Sequence, residues 1–295
     1  MTDFVATLIA RPGNGAELGR GAEACISAIP ARREELSPDE ALDLFFASDD
    51  FTELVRARLE LAVGDLPVDL IVQPAATRRK RLLITDMDST IIGQECIDEL
   101  ADFAGLKAAV AGITARAMRG EIEFEPALRE RVTLLAGLPA STIDRVIAER
   151  ITLNPGAKTL VWTMRANGAH TILVSGGFTA FTEQVSKMVG FNETRANTLL
   201  IEHGKLSGRV KEPILGRSAK LATLEDAIIR LGLTADDTMA VGDGANDLAM
   251  IRRAGLGVAY YAKKAVAEAA AARIDHTDLT ALLYAQGYKR QQFLE

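Results

Sequence analysis

The 295-residue sequence predicts an α/β protein: a doubly wound parallel sheet with an inserted block of helices, preceded by a smaller α+β unit. Three observations predict this fold. From about residue 155 onward, helical patterns alternate with short apolar strand patterns, as in buried parallel sheets. Residues 94–150 show helical spacing and no convincing strand. Before residue 77, strand and helix patterns follow one another in the order βαββαβ.

The first segment, residues 1–76, has the pattern of a small α+β domain. Four strand patterns and two helix patterns are expected here. The strands are Phe4–Ala10, Arg32–Glu35, Leu42–Ala47 and Val68–Val72, and the helices are Ala16–Ala28 and Phe51–Val63. This order is that of a ferredoxin-like or ACT-like regulatory module, so we expect an ACT-like, regulatory domain that carries no catalytic residues.

A composition break separates this segment from the rest of the chain. Proline and small residues at positions 73–77 are followed by the basic run 78–81 and then by the apolar strand Leu82–Thr85. The basic run is short and has no interleaved aromatic residues, which favours a solvated linker over a nucleic-acid patch. We therefore expect a second domain over residues 77–295.

The second domain is expected to hold the sheet. Leu82–Thr85 predicts its first strand, and residues 94–152 predict a helical cap inserted after that strand. His170–Val174 and Thr238–Val241 predict further strands, each next to a helix pattern. Two β-type runs within 198–210 predict a hairpin at the edge of the sheet.

Composition excludes several classes of protein. Hydrophobic residues at 48% and charged residues at 25% are typical of a globular chain and not of a disordered one. No apolar run reaches the roughly 18 residues of a bilayer-spanning helix, and the first residues lack a signal-peptide pattern. Two cysteines and a net charge of −6 favour a cytoplasmic protein that binds neither nucleic acid nor an anionic membrane.

Two acidic residues follow the first strand of the second domain. Asp86 and Asp88 are separated by one residue, a spacing that can direct both carboxyl groups into one cavity. Such a pair offers a nucleophile beside a general acid, because neighbouring carboxylates push one pKa upward. The alternative is that these residues only end a strand and cap a helix.

A second acidic segment follows the strand Thr238–Val241. Here Asp243 and Asp247 lie within Gly242-Asp-Gly-Ala-Asn-Asp, whose glycines allow close approach of the backbone. Oxygen ligands from Asp86 and Asp243 would suit Mg²⁺, with Asp247 in the next shell or steering a ligand. A plain turn before a helix is the alternative.

Donors for a phosphate come from two further places. Ser175-Gly176-Gly177 stands where a strand meets a helix, so its hydroxyl and N–H groups can bind phosphate oxygens. Lys220 begins the helix before the Asp243 strand and would add a positive charge. Taken alone, Lys220 is more typical of an ordinary surface lysine.

Together these segments resemble the haloacid-dehalogenase superfamily. The particular residues within the motifs resemble those of the phosphoserine phosphatases. The matching stretches are 83–92, Glu95, 124–132, 174–178, Lys220 and 241–247. They occur in that family's order and spacing over about residues 82–290. The resemblance implies that Asp86 attacks phosphorus to form an aspartyl-phosphate and that Asp88 protonates the leaving oxygen. It also implies Mg²⁺ held by Asp86, Asp243 and the backbone carbonyl of Asp88.

The resemblance also implies a substrate. Ser175, Gly176 and Lys220 would hold the phosphoryl group, and Asn246 and Asp247 would contact the substrate or the water shell of the metal. From the cap, Glu95 would meet the substrate ammonium and Arg131 its carboxylate. Phe124 and Gly177 belong to the same matching stretches and would support the site.

The implied reaction is Mg²⁺-dependent hydrolysis of O-phospho-L-serine, the last step of L-serine biosynthesis. Two alternatives remain: a phosphatase or phosphotransferase acting on another small phosphomonoester, or a non-catalytic amino-acid sensor. The sequence leaves open whether the chain forms a homodimer.

Overall fold

A computed structural model of the protein describes residues 1–118, 121–216 and 218–295. The chain begins with a four-stranded antiparallel sheet in the order β2-β3-β1-β4, with two helices on one face. Its elements are β1 (Thr2–Ala10), α1 (Gly15–Ala28), β2 (Arg32–Ser37), β3 (Ala41–Ser48), α2 (Thr52–Val63) and β4 (Val68–Pro74). The predicted βαββαβ order is confirmed: β1 and β4 are buried along almost their whole length, and the buried stripes of α1 and α2 pack on one face of their sheet.

The opposite face of this sheet packs against the remainder of the chain. Ile9 and Ile71 belong to the same apolar core as the C-terminal residues Leu282 and Tyr284. Polar contacts tie the two parts together at the rim: the buried carboxylate of Asp69 accepts hydrogen bonds from the backbone N–H groups at 275–277. The domain boundary between residues 76 and 77 stays a prediction.

The basic run at 78–81 departs from the expectation of a solvated linker. Arg78 forms a salt bridge of 2.9 Å with Asp43, whose side chain is buried. Lys80 is also buried and donates to the carbonyl oxygens of Thr77 and Asp236 at 2.7 and 2.8 Å. Arg78 lies in the contact between the antiparallel sheet and the second part of the chain, where it also donates to the carbonyls of Tyr284 and Ala285. Lys80 joins the segment that follows β4 to the segment 235–237 of the second part.

The second part of the chain is built on a six-stranded parallel sheet. Its strands are β5 (Leu82–Thr85), β6 (His170–Phe178), β7 (Glu193–Asn197), β10 (Thr238–Gly242), β11 (Leu256–Tyr260) and β12 (Ala272–Ile274). They lie in the order β12-β11-β10-β5-β6-β7, and every neighbouring pair is parallel. The two apolar strands β5 and β10 are buried along their whole length at the centre, as a sheet covered on both faces requires. The predicted doubly wound sheet is confirmed.

Helices cover both faces of this sheet. They are α7 (Ala157–Ala166), α8 (Thr179–Val189), α9 (Ser218–Leu231), α10 (Leu248–Arg253), α11 (Lys264–Ala269) and α12 (Ala281–Ala285). Four more helices follow β5 and form the cap: α3 (Cys96–Phe103), α4 (Lys107–Met118), α5 (Phe124–Leu134) and α6 (Ser141–Arg150). Among the described residues, no helix is long and apolar enough to cross a membrane.

The hairpin predicted within 198–210 forms, but its expected position was wrong. Strands β8 (Leu199–Glu202) and β9 (Lys205–Val210) make a separate two-stranded sheet. This hairpin bonds to the loop between α5 and α6: Gly137 N–H donates to the Leu206 carbonyl and Leu206 N–H to the Leu138 carbonyl, both at 2.8 Å. Because the cap supplies these partners, the hairpin extends the cap rather than the large sheet.

Candidate active site

The predicted site lies at the carboxyl edge of the parallel sheet, where ligands bind in folds of this kind. Asp86 follows β5 and Asp243 follows β10, and these two strands are neighbours. The N–H of Asp86 donates to the carbonyl of Val241 at 2.9 Å, which extends the strand pairing to Asp86 itself. Two acidic segments that are far apart in sequence therefore meet side by side.

A buried lysine joins the two acidic segments. The Nζ atom of Lys220, on the first turn of α9, lies 2.7 Å from Asp86 Oδ1 and 2.6 Å from Asp247 Oδ1. Its side chain is 4% exposed, so Lys220 is not the surface lysine that its position alone allowed. Burial alone would lower the pKa of Lys220, but the two carboxylates outweigh it and raise that pKa, which keeps the ammonium charged.

Glycine at 242 is required by this arrangement. A Cβ atom there would lie 2.4 Å from Asp247 Cγ, so a side chain would push the carboxylate away from Lys220. Asp247 itself is fully buried, and its other oxygen accepts the Gly244 N–H at 3.0 Å. Both oxygens of Asp247 are thus engaged within the chain.

Asp88 is oriented by two groups from different parts of the site. Its Oδ1 accepts the N–H of Cys96 at the start of α3 at 2.9 Å, and its Oδ2 accepts the Ser175 hydroxyl at 3.2 Å. Ser175 in turn accepts the Gly177 N–H at 2.9 Å. Burial raises the pKa of Asp88 despite these donors, so the group is suited to carry a proton.

Three acidic side chains form a cluster that could hold a metal ion. One carboxylate oxygen from each of Asp86, Asp243 and Asp247 lies within 4.8 Å of the others. Burial and then the charge of Asp247 raise the pKa values of both Asp86 and Asp243, because Lys220 offsets only part of the negative charge. An all-oxygen donor set with uncompensated charge fits a hard divalent cation. These three residues therefore fit a divalent metal ion.

A cleft of about 500 Å³ lies between this acidic edge and the cap. On the cap side it is lined by Glu95, Phe124 and Arg131, and on the sheet side by Asp86, Asp88 and Asp243. Arg131 reaches the cleft from the last turn of α5, and its Nε donates to the Ala127 carbonyl at 3.3 Å. The cleft thus has a negatively charged end near the sheet. Its cap side carries one carboxylate, of Glu95, and one guanidinium, of Arg131.

Glu95 stands just before α3 and is held by a neighbouring hydroxyl. Ser89 Oγ donates to Glu95 Oε1 at 2.8 Å from a backbone with φ of 54°, which turns the chain back toward the cleft. The surrounding protein atoms, followed by the charge of Asp88, raise the pKa of Glu95 to about 7, although the side chain still reaches solvent. A nearby cation would reverse this shift.

The structure brings together every site residue that the sequence predicts. The cleft is lined by Asp86, Asp88, Glu95, Phe124, Arg131, Gly176, Gly177, Asp243 and Asn246. Ser175, Lys220 and Asp247 lie directly behind this lining, in contact with Asp88 or Asp86 or with each other. Their roles in catalysis and binding are argued below.

Two further polar residues at the site were not predicted from the sequence. Lys263, in the loop after β11, lines the cleft, and its charge acts on Asp243. Predicting β11 would have revealed it, because β11 ends at the same edge as β5 and β10. Asn197 at the end of β7 bonds to the Gly176 backbone, and only the fold indicates this contact.

Comparison with known proteins agrees with this geometry. The model of the haloacid dehalogenase-like hydrolases matches residues 83–252, and the chain belongs to that family. A phosphoserine phosphatase of Archaeoglobus fulgidus is 44% identical over 230 residues, which are 77% of this chain and 67% of the relative. One from Albidiferax ferrireducens is 46% identical over 208 residues, 69% of this chain and 88% of the relative. Within the family, the chain therefore belongs with the phosphoserine phosphatases.

One relative is considerably longer than the matched region. The chain is 43% identical to a phosphoserine phosphatase of Streptomyces coelicolor over 84% of its own length, but covers only 61% of that protein.

Solved structures resemble both parts of the chain. A HAD family hydrolase from Salmonella enterica serovar Typhi superposes with a TM-score of 0.84 and 27% identity, covering 97% of this chain and 98% of that one. A phosphoserine phosphatase described as a phospho-aspartyl intermediate analogue gives a TM-score of 0.65 and 38% identity. It covers 70% of this chain and 98% of that one. The match to the Salmonella hydrolase therefore includes the antiparallel sheet as well as the parallel one.

The close approach of Phe124 to Gly176 generates a prediction. A Cβ atom at 176 would lie 3.1 Å from Phe124 Cζ, so Gly176→Ala should displace the ring that closes the cleft. We expect kcat/KM for a phosphomonoester to fall by about 10-fold or more, the equivalent of roughly 1–3 kcal/mol of overpacking. In a Phe124→Ala background the same change should have much less effect, since the obstructing ring is gone.

Gly112→Ala in α4 is the control, because no described atom lies within 4 Å of its added Cβ. Steady-state kinetics of the single and double variants measure the coupling. Equal effects of Gly176→Ala with and without Phe124 would contradict the packing argument.

Proposed function

We propose that the chain hydrolyses O-phospho-L-serine to L-serine and phosphate in a Mg²⁺-dependent reaction through an aspartyl-phosphate on Asp86. One observation carries the proposal. The same cleft joins the acidic edge of the sheet, where the metal and the phosphoryl group would bind, to Glu95 and Arg131, which match the ammonium and the carboxylate of an amino acid. The identity of its relatives, which are phosphoserine phosphatases, supports this substrate.

Asp86 is arranged as the nucleophile. Its Oδ1 accepts the Met87 N–H at 2.7 Å and contacts Lys220, which leaves Oδ2 for attack on phosphorus. An ionised carboxylate is the form that attacks. The ammonium of Lys220 favours this form but offsets only part of the effect of burial and of Asp247 on the pKa of Asp86, and a bound divalent cation would supply the remaining positive charge. The new Oδ–P bond forms as the bond from phosphorus to the serine oxygen breaks.

Asp88 is placed to move the protons. With its pKa raised, it donates a proton to the departing serine oxygen, and the carboxylate that results accepts a proton from the water that attacks the aspartyl-phosphate. The Cys96 N–H and the Ser175 hydroxyl keep the carboxyl group in one orientation through both steps. Asp86 is regenerated when its bond to phosphorus breaks.

The phosphoryl group would be held by donors from three segments. Ser175 and the Gly176 N–H would bind its oxygens at the end of β6, and Lys220 would stabilise the charge that develops there. Mg²⁺ bound by Asp86, Asp243 and the backbone carbonyl of Asp88 would supply further positive charge. Asn246 and Asp247 would orient the substrate and the metal's water shell, and Phe124 and Gly177 would shape the cavity.

The amino-acid end of the substrate selects phosphoserine among monoesters. The planar guanidinium of Arg131 can pair with the substrate carboxylate through two parallel bonds, and Glu95 can pair with the ammonium. Both come from the cap, so binding of the substrate draws cap and sheet together.

The antiparallel sheet over residues 1–76 would be an appended regulatory unit.

The covalent step is tested by Asp86→Asn. An amide cannot accept the phosphoryl group in this way and is a poorer metal ligand, so kcat for phosphoserine should fall by at least about 10³-fold. Circular dichroism should show the fold intact. Asp88→Asn should lose much less activity with p-nitrophenyl phosphate, whose leaving group needs no proton, than with phosphoserine. Near-normal turnover by Asp86→Asn would rule out the covalent mechanism.

Substrate choice is tested by Arg131→Ala and Glu95→Gln. Arg131→Ala should weaken phosphoserine binding by about 2–4 kcal/mol, partly because the substrate carboxylate is left unpaired. Hydrolysis of p-nitrophenyl phosphate, which lacks both amino-acid groups, should change far less. The measurement is kcat/KM for both compounds in both variants, and an equal fall for the two would show that these residues serve the fold instead.

The role of Glu95 should also appear in how kcat/KM for the two substrates depends on pH. Since the pKa of Glu95 is raised to about 7, and a bound cation lowers it, Glu95 gains a proton as the pH falls through about 7 or below. It then no longer attracts the ammonium, so kcat/KM for phosphoserine should fall relative to p-nitrophenyl phosphate. In Glu95→Gln this loss at low pH should be absent, which leaves only the opposite trend expected from Asp88, whose proton the serine oxygen needs and the p-nitrophenyl leaving group does not.

A further inference from the structure

The loop that would bind the phosphate is an interruption of the parallel sheet. Strand β6 pairs with β7 through Val174 opposite Arg195, and pairing resumes at Phe178 opposite Asn197. Three residues, 175–177, thus stand on β6 where one stands on β7. This bulge moves Ser175 and Gly176 out of the ladder and toward the cleft. It also deprives the Gly176 carbonyl of a strand partner.

Asn197 supplies that partner. Its Nδ2 donates to the Gly176 carbonyl at 3.0 Å, from a side chain that is 2% exposed. Because the peptide plane is rigid, fixing this carbonyl also fixes the Gly177 N–H, which lies in the same plane and donates to Ser175 Oγ at 2.9 Å. The position of the Ser175 hydroxyl, which would face a phosphoryl oxygen, thus depends on the carboxamide behind the loop.

The same carboxamide holds the segment that leads to Lys220. Asn197 Oδ1 accepts the Leu215 N–H at 2.7 Å, and Nδ2 also donates to the Leu215 carbonyl at 3.4 Å. Leu215 lies just before α9, and it borders the same small void as Ser175, Gly176 and Lys220. One buried side chain therefore joins the two segments whose hydrogen-bond donors would hold the phosphoryl group.

Asparagine is chemically suited to this bridge. The site needs a donor toward two carbonyl oxygens and an acceptor toward one N–H, and a carboxamide offers both within one plane. Aspartate has the same shape but, when ionised, would place an oxygen against the carbonyls of Gly176 and Leu215. Alanine would leave these buried groups without partners.

We propose that Asn197 is a positioning residue that fixes the Ser175-Gly176 bulge relative to Lys220 and thereby sets the affinity for the phosphoryl group. The proposal rests on the proposed function, since it concerns the phosphate end of that site. Asn197 touches no substrate and acts through the backbone of its neighbours. Its effect should therefore appear for any phosphomonoester and for free phosphate.

The test uses Asn197→Asp and Asn197→Ala in the full chain, with inorganic phosphate and p-nitrophenyl phosphate as probes. We expect the inhibition constant for phosphate to rise about 10- to 100-fold, the scale on which a misplacement near 1 Å acts. KM should rise by a similar factor for phosphoserine and p-nitrophenyl phosphate. This equality separates Asn197 from Arg131 and Glu95, whose loss should discriminate between the two substrates.

Asn192→Asp is the matched control. Asn192 stands just before β7, at the opposite end from Asn197, and its Oδ1 accepts the N–H and hydroxyl of Thr171 at 3.0 Å, far from the cleft. The same chemical change there should leave phosphate inhibition unaltered. Thermal melts of all three variants report whether each remains folded.

Three results would overturn the proposal: unchanged phosphate inhibition in folded Asn197 variants, an equal loss in Asn192→Asp, or failure of both Asn197 variants to fold. The last would show that Asn197 serves stability alone. A failure of the proposed function would look different. The unaltered chain would then not turn over phosphoserine, while phosphate inhibition of p-nitrophenyl phosphate hydrolysis would still report on Asn197.

Discussion

The ion pairs of Lys220 with Asp86 and Asp247 are the constraint on which the rest of the site depends. A buried ammonium is stable only where carboxylates compensate it, and buried carboxylates need the ammonium in turn. The three residues come from β5, α9 and the loop after β10, so the pairs lock three elements together. Gly242 is part of the same constraint, because any side chain there would displace Asp247.

This constraint divides the work between the sheet and the cap. The groups that would handle phosphate stand on the rigid carboxyl edge of the sheet, where neighbouring strands fix their spacing. The groups that would recognise the amino acid come from the cap, and β8 and β9 bond to the cap loop between α5 and α6. The chemical centre can therefore stay fixed while the cap determines which monoester fits.

Much of this arrangement is predictable from sequence because parallel sheets bring strand ends together. Asp86, Ser175 and Asp243 each follow an apolar run, and that position alone places them at one edge. The burial of Lys220 could not be predicted from the sequence, because it depends on contacts between elements. The same holds for Lys80, whose acceptor carbonyls are 156 and 3 residues away along the chain.

Three strands of the large sheet were not predicted from the sequence. β7 has the sequence Glu-Thr-Arg-Ala-Asn, which contains no apolar run, and β12 has only three residues. The apolar run of β11 was not assigned to a strand, and the residues that follow or end these strands, such as Lys263 and Asn197, were missed with them. The hairpin was recognised from its turn, but a turn says nothing about which surface its strands will meet. Its attachment to the cap comes from backbone hydrogen bonds to residues 137–140.

The central claim is that a carboxylate of the protein, Asp86, is phosphorylated and then hydrolysed. The stereochemical course at phosphorus tests it most directly, with a phosphorothioate analogue of phosphoserine made chiral by oxygen isotopes and hydrolysed in isotopically labelled water. Two successive in-line displacements, one by Asp86 and one by water, predict retention of configuration in the released thiophosphate. Inversion would show a single direct attack by water and would contradict the account.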